Sequence, residues 1–147
     1  MPAPILEVKD LVKHYPKTKA VNGVSFSIPS GTCFGLLGPN GAGKTTTIEV
    51  IEGIAPPTSG EILFHGKPVG PEFRDKTGIQ FQNTSIQDFL TVRETLELFA
   101  RIYSNSSQID RLIEMCNLRD FLDQDIHKVS GGQRQRVLLA VALVKNP

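Results

Sequence analysis

A glycine-rich run at residues 38–45 has the residue types and spacing that most directly predict chemistry. It reads Gly-Pro-Asn-Gly-Ala-Gly-Lys-Thr and fits the pattern G-x-x-x-x-G-K-[S/T]. Glycines let the backbone bend until several N–H groups face one anion. A helix beginning near Gly43 would direct its positive end to the same point. We therefore predict a loop that wraps nucleotide phosphates, and we call residues 38–45 the phosphate loop.

The flanking segments favour this prediction over a glycine-rich turn that binds nothing. Residues 32–37 are mostly apolar and predict a short buried strand, and residues 45–52 predict a helix with Ile48, Ile51 and Ile54 on one face. Strand, glycine loop and helix in this order are the context that such a motif needs. Within the loop, Lys44 would neutralise the β- and γ-phosphates, and the Thr45 hydroxyl would bind Mg²⁺.

Length and composition bound the class of protein. The chain has 147 residues, of which 39% are hydrophobic and 21% charged, which is typical of one globular domain. The net charge of +1 gives no reason to expect nucleic acid as a partner. No segment resembles a signal peptide, and the longest apolar run, residues 137–144, is too short to span a bilayer. Cys33 and Cys116 fit no zinc or redox motif, and we expect both to be small core residues.

Periodicity predicts strands first and helices later. Residues 5–12, 24–28 and 77–82 are expected to form strands, and residues 61–69 a strand and a tight turn. Thr91 and Glu94 have the spacing of a capping box at the start of a helix. One face of that helix and one face of the next helix are apolar, which predicts a small helical subdomain. The residues on the two faces are Val92, Leu96, Phe99 and Tyr103, then Ile109, Leu112, Ile113 and Cys116.

The segment Ser130-Gly131-Gly132-Gln133 opens the last helix. Ser130 and Gln133 again have capping-box spacing, and the helix continues as an apolar run to Val144. A polar helix start with two glycines is also suited to bind an anion. From this segment alone, plain capping and a second anion site are equally good interpretations.

In this order, the phosphate loop, a strand ending at Gln82 and the Ser130–Gln133 segment resemble the ATP-binding subunits of ABC transporters. The resemblance extends over nearly the whole chain. It implies an α/β phosphate-loop NTPase fold: a RecA-like parallel sheet core, an N-terminal antiparallel β part and a small helical subdomain. It also implies a partial domain, with residues 1–87 as β subdomain and phosphate-loop core, 88–135 as helical subdomain and 136–147 as the last helix.

The resemblance assigns roles residue by residue. Tyr15 would stack on adenine, and Gln82 would contact Mg²⁺ and the attacking water, with Gln80 as a rival for that role. The implied nucleotide-binding residues are Tyr15, Gly38, Pro39, Asn40, Gly41, Ala42, Gly43, Lys44, Thr45 and Thr46. Thr45 and Gln82 are the implied Mg²⁺ ligands. Ser130, Gly131, Gly132 and Gln133 match the family signature, which binds the ATP held by an opposite subunit.

The implied cofactors are ATP and Mg²⁺, and the implied partners are a second ATP-binding subunit and a membrane permease. We expect a soluble subunit that the permease holds at the cytoplasmic face of the membrane. The segments 45–48 and 90–99 resemble subunits of drug- or polysaccharide-export systems. A non-transport relative that acts on ribosomes is an alternative, and so is a non-catalytic ATP-binding fragment.

The resemblance also implies an Asp-Glu strand and a later histidine that the sequence does not contain. The sequence ends at Pro147, and Asp120, Asp123 and Asp125 precede the signature on what we expect to be a solvated turn. We therefore expect a fragment of a longer protein, which binds ATP better than it hydrolyses it and has no catalytic residue besides the assisting Gln82.

Overall fold

The computed structural model describes residues 4–80, 86, 89–103 and 108–147, which fall into two compact units, 1–73 and 74–147. The first unit contains strands β1 (Pro4–Tyr15), β2 (Thr18–Pro29), β3 (Ser59–Phe64) and β4 (Lys67–Pro68), with helix α1 (Lys44–Ile51) between β2 and β3. Helix α2 (Pro71–Asp75) spans the boundary. The second unit contains α3 (Val92–Ile102), α4 (Ile109–Met115), a 3₁₀ turn (Arg119–Phe121) and α5 (Gly131–Leu143).

The sheet of the first unit is antiparallel throughout its described strands, in the order β2-β1-β3-β4. A two-residue turn, Pro16–Lys17, joins β1 to β2, so that Tyr15 pairs with Thr18. Alternate side chains of the sheet and one side of α1 form an apolar core. Its buried members are Val8, Leu11, Val21, Val50, Ile51, Ile62 and Phe73. This confirms the strands predicted at residues 5–12 and 24–28, and the strand and turn predicted within residues 61–69.

Two predicted strands differ from the structure. Residues 32–37 form no strand, and Phe34 and Leu37 are 43% and 92% exposed. Residues 77–80 form no strand either, and residues 81 and 82 lie outside the described part. A strand needs a neighbour that supplies hydrogen bonds, and no described strand pairs with either segment. Cys33 lies in the first of these segments and is exposed, so the prediction of a core cysteine was wrong there.

Helix α1 begins where predicted but buries a different face. Thr47, Val50 and Ile51 are buried, whereas Ile48 is 42% and Ile54 59% exposed. Of the three predicted isoleucines only Ile51 is buried, and it enters the core together with Val50. The hydroxyl of the buried Thr47 is satisfied because it donates to the Gly43 carbonyl at 2.9 Å.

The second unit is a helical cluster whose core the sequence predicted well. Val92, Leu96, Leu112, Ile113 and Cys116 are buried in one cluster, with Phe99 and Ile109 partly buried against it. Tyr103, which was predicted on the same face, is exposed because it lies past the end of α3. Burial raises the pKa of the Cys116 thiol, which keeps it protonated and inert. Val137, Leu138, Ala140 and Val144 of the last helical segment join the same cluster. The three-part division of the chain at residues 87/88 and 135/136 stays a prediction.

Candidate nucleotide-binding site

Gly43 fixes the end of the phosphate loop against strand β2. It is the N-cap of α1 and has φ 83°, ψ 8°, in the left-handed region that other residues rarely adopt. A Cβ at this position would lie 2.1 Å from the Ala20 carbonyl oxygen. Glycine is therefore required here both by the backbone angle and by the close approach to β2.

The start of α1 carries no side-chain cap. Its first helical hydrogen bond is donated by the Thr47 N–H to the Gly43 carbonyl at 2.8 Å. The N–H groups of Lys44, Thr45 and Thr46 precede that bond and so have no acceptor within the helix. These donors, together with the helix dipole, form an opening that suits an anion.

Lys44 brings a full positive charge to the same opening. Its Nζ donates to the carbonyl oxygens of Gly38 and Pro39, at 2.7 and 2.8 Å. These bonds connect the first residue of α1 to the start of the phosphate loop and hold the ammonium near the opening. An ammonium has three donors, so one donor remains for a phosphate oxygen.

Tyr15 lies in the same unit, at the end of β1, and its side chain is 43% exposed. Its cross-strand partner is Thr18, and Ala20, which Gly43 contacts, lies two residues further along β2, or about 7 Å. Strand β2 thus connects the tyrosine and the phosphate loop. Lys13 also contacts this ring, with Nζ 4.9 Å from the centroid. Sequence reasoning missed Lys13, although the period of two on a strand could have found it.

The Ser130–Gln133 segment lies in the second unit and forms the predicted capping box. The Gln133 N–H donates to Ser130 Oγ at 3.2 Å, and the Ser130 N–H donates to Gln133 Oε1 at 2.7 Å. Ser130, Gly131 and Gly132 are exposed, and a Cβ on either glycine would meet no atom within 4 Å. Nothing within the described chain requires glycine at these two positions.

Gln82, the predicted ligand of Mg²⁺ and of the attacking water, lies outside the described residues. Its rival Gln80 donates through Nε2 to Gln135 Oε1 at 2.8 Å, a bond within the second unit. Asp120 and Asp123 are exposed, as expected for a solvated turn, and Asp125 accepts from the His127 N–H at 2.8 Å. Over residues 4–80, 86, 89–103 and 108–147, no group of three or more His, Cys, Asp or Glu is placed to hold a metal ion.

Comparison with known proteins decides the family. A family profile described as ABC transporter matches residues 21–147. The chain belongs to the ABC transporter family, as an ATP-binding domain. Its fold is therefore that of the ABC ATPase domain, of which the described residues show the antiparallel N-terminal sheet and the helical part.

The relatives in this family are ATP-binding proteins named for export. The chain is 40% identical to the Nod factor export ATP-binding protein I of Burkholderia orbicola, over 99% of this chain and 50% of that protein. It is 37% identical to the protein of the same name from Paraburkholderia xenovorans, over 100% of this chain and 51% of that one. The chain thus spans about half the length of the curated relatives it matches.

Solved structures agree on the fold. CbiO1 from Clostridium perfringens, described as part of the ABC transporter complex cbiONQ, matches with a TM-score of 0.85 and 30% identity, over 98% of this chain and 62% of that one. The ATP-binding cassette MJ1267 matches with a TM-score of 0.85 and 27% identity, over 99% of this chain and 66% of that one. Among the residues that the structure describes, none of the helices has the length and hydropathy needed to span a bilayer.

The residues present fit the ligand that this family implies. The uncapped start of α1, the left-handed Gly43 and the Lys44 ammonium together suit the phosphates of ATP. Mg²⁺ commonly takes one or two protein oxygens and completes its shell with phosphates and water. The Thr45 hydroxyl, on the first turn of α1, is an oxygen of the phosphate loop that suits this purpose.

Proposed function

We propose that this chain is the ATP-binding domain of an ABC-type exporter, and that it couples ATP binding and hydrolysis to movement of a substrate through a membrane permease. The uncapped start of α1, with Lys44 held across it, is the observation that carries the proposal. Export is supported by the names of the relatives, which are Nod factor export ATP-binding proteins. The permease would hold this domain at the cytoplasmic face of the membrane.

Within one chain, the phosphate loop does the binding. The N–H groups at the start of α1 would donate to the phosphate oxygens, and the Lys44 ammonium would neutralise part of the phosphate charge. Bound Mg²⁺ would supply further charge neutralisation at the β- and γ-phosphates, and Thr45 would be its ligand. Tyr15, on the same strand pair, would stack on the base and set the position of the other end of the nucleotide.

Hydrolysis needs a group that orients or activates water, which typically contributes about 10²–10⁴-fold to the rate. No acidic residue follows Asp125 in the 147-residue sequence. We therefore infer that these residues by themselves bind ATP and turn it over near the background rate. Robust turnover by the purified chain would contradict this.

A second copy of the domain would complete the site. Ser130, Gly131, Gly132 and Gln133 are the residues proposed to reach the γ-phosphate of ATP on a partner subunit. Two open glycines at an exposed helix start support this, because their small size serves no packing purpose within the described chain and leaves room for close approach. The proposed dimer holds two ATP molecules between a phosphate loop and the partner's signature.

The phosphate-loop assignment is tested by Lys44→Ala. We expect Mg-ATP affinity to fall at least about tenfold, because a charge-assisted contact to phosphate is worth about 1.5–3 kcal/mol. Titration calorimetry measures it, and Lys67→Ala, which removes one exposed lysine from the same unit, is the matched control. Equal affinities for Lys44→Ala and Lys67→Ala would exclude Lys44 as a phosphate ligand.

The composite site is tested by Gly132→Asp. An acidic residue in the first turn of α5 is favourable to the helix by about 0.3–1 kcal/mol, so the fold should persist. The same carboxylate would repel a γ-phosphate, and we expect ATP-dependent dimerisation to be lost while ATP binding by the monomer is kept. Sedimentation velocity with a non-hydrolysable ATP analogue measures both. A Gly132→Asp chain that still dimerises on ATP would remove the signature from the interface.

A further inference from the structure

Lys13 and Tyr15 form a contact that the proposed roles do not use. The two residues lie two positions apart on β1 and so share one face of the strand. Lys13 Nζ lies 4.9 Å from the centroid of the Tyr15 ring. This is within the range of a cation–π interaction, and Tyr15 is still 43% exposed with that contact made.

The ammonium of Lys13 also has a second partner, a backbone carbonyl. Nζ donates to the Pro56 carbonyl oxygen at 2.7 Å. The segment that carries this carbonyl is itself bonded to β1, because the Thr58 N–H donates to the Val12 carbonyl at 2.8 Å and the His14 N–H donates to Thr58 Oγ1 at 2.9 Å. The acceptor therefore lies just before β3, on a segment that is hydrogen-bonded to β1, and this contact holds the lysine ammonium over the ring.

We infer that Lys13 is a positioning residue for Tyr15: anchored at Pro56, it covers one face of the ring, restricts the ring's rotation and leaves the opposite face to receive the base of a nucleoside triphosphate. This rests on the proposed function, since it requires that Tyr15 stacks on the base. A ring that is already oriented loses less conformational freedom when the base binds, and this increases affinity. The inference concerns the base end of the ligand and assigns Lys13 no contact with phosphate.

A lysine that orients Tyr15 can be distinguished from one that binds phosphate. A lysine near a nucleotide could act on the phosphates as a point charge, and it would then strengthen the binding of any polyphosphate. A residue that orients Tyr15 strengthens only ligands that carry a base. Mg-ATP and Mg-tripolyphosphate distinguish the two roles, because they share the phosphates and differ in the nucleoside.

The variants are Lys13→Met, which keeps the apolar stem and removes the charge, and Lys13→Arg, which keeps a cation able to reach a carbonyl and a ring. Lys17→Met is the matched control, because it removes an exposed lysine from the adjoining turn. We expect Lys13→Met to weaken Mg-ATP about two- to fivefold, the range of an exposed cation–π contact, and to leave tripolyphosphate within twofold of the parent chain. Lys13→Arg should recover most of the ATP affinity.

A second measurement needs no ligand. The chain contains two tyrosines and no tryptophan, so that in a Tyr103→Phe background the tyrosine band of the near-ultraviolet circular dichroism comes from Tyr15 alone. In that background, Lys13→Met should reduce the tyrosine band, while Lys17→Met and Lys13→Arg should preserve it.

The inference is overturned if Lys13→Met leaves both the tyrosine band and the ATP affinity unchanged, or if it weakens tripolyphosphate as much as ATP. Failure of the proposed function has a different signature. In that case Lys44→Ala leaves the binding of both ligands unchanged, whatever Lys13 does to the spectrum of Tyr15.

Discussion

Helices α1 and α5 both have glycine at or next to their first residue, and both are proposed to face phosphate, yet the N–H groups of their first turns are treated in opposite ways. At α1 the N-cap is a left-handed glycine, and no side chain bonds the first N–H groups. At α5 the N-cap is Ser130, which forms a reciprocal capping box with Gln133. The start of α1 thus keeps its donors for a ligand, whereas the start of α5 satisfies two of its own.

The glycines of the two helices serve different purposes as well. Gly43 has a positive φ and lies against the Ala20 carbonyl, so the fold itself requires it. Gly131 and Gly132 face open space. From this difference we infer that the phosphate loop is shaped by contacts within its own unit, whereas the composition of the α5 start is set by what approaches it from outside.

The largest difference between the helices should appear on alanine substitution. Gly43→Ala forces a left-handed angle on alanine and places Cβ against a backbone carbonyl, so we expect the free energy of unfolding to fall by more than about 2 kcal/mol. Gly131→Ala should leave it unchanged or raise it by up to about 1 kcal/mol. Urea denaturation followed by circular dichroism measures both. Equal losses for the two variants would mean that the fold requires Gly43 no more than it requires Gly131.

A smaller effect tests the cap of α5. Ser130→Ala removes the acceptor of the Gln133 N–H, which is expected to lower the free energy of unfolding by about 1 kcal/mol. Ser130→Asp is the control, since aspartate caps as well as serine. The measurement is the urea midpoint, and a Ser130→Ala midpoint equal to that of the parent chain would mean that the cap contributes nothing.

The smallest expected effect is a difference between the two capping boxes in how their contribution to the free energy of unfolding depends on pH. In the box of α3, hydrogen bonds from the Thr91 N–H and hydroxyl to Glu94 hold the pKa of that carboxyl below its ordinary 4.5. A lowered pKa in the folded state means that the unfolded chain takes up the proton first. The stabilisation is therefore complete above about pH 5 and is lost as the pH falls through the folded pKa. Gln133, the corresponding residue of α5, does not titrate.

We therefore expect the destabilisation caused by Thr91→Ala to shrink as the pH falls from 6 to below 4.5 and through the lowered pKa of Glu94, where the carboxyl takes up a proton. The destabilisation caused by Ser130→Ala should stay constant over the same range. Paired urea titrations of the two variants and the parent chain at each pH measure the difference. A parallel decline in both variants would assign the effect to the chain as a whole and not to Glu94.

Features that depend on residues close in sequence could be predicted from it. Both capping boxes, the start of α1 next to Gly43, the strand segments within β1 and β2 and the cores of α3 and α4 are of this kind, because a few neighbouring residues determine each of them. The errors concern distant partners. The apolar segment 32–37 has strand composition but no described neighbour to pair with. The buried face of α1 depends on where the sheet lies, which hydrophobicity alone does not reveal.

The candidate site divides in the same way. The phosphate loop could be found from its pattern, whereas the contact between Gly43 and Ala20 and the anchoring of Lys13 at Pro56 could not, because each joins segments more than twenty residues apart. Only the short spacing between Lys13 and Tyr15 was visible in the sequence, as two residues on one face of a strand.

The close approach of Gly43 to the Ala20 carbonyl of β2 couples the free energy of nucleotide binding to the free energy of unfolding of the first unit. If the phosphates are bound at one end of that contact and the base at Tyr15, the hairpin has to be folded before either end can be occupied. A ligand present at a hundred times its Kd then adds about 2.7 kcal/mol to the stability of this unit. Slower amide hydrogen exchange in β1 and β2 would therefore report occupancy without any measurement of turnover.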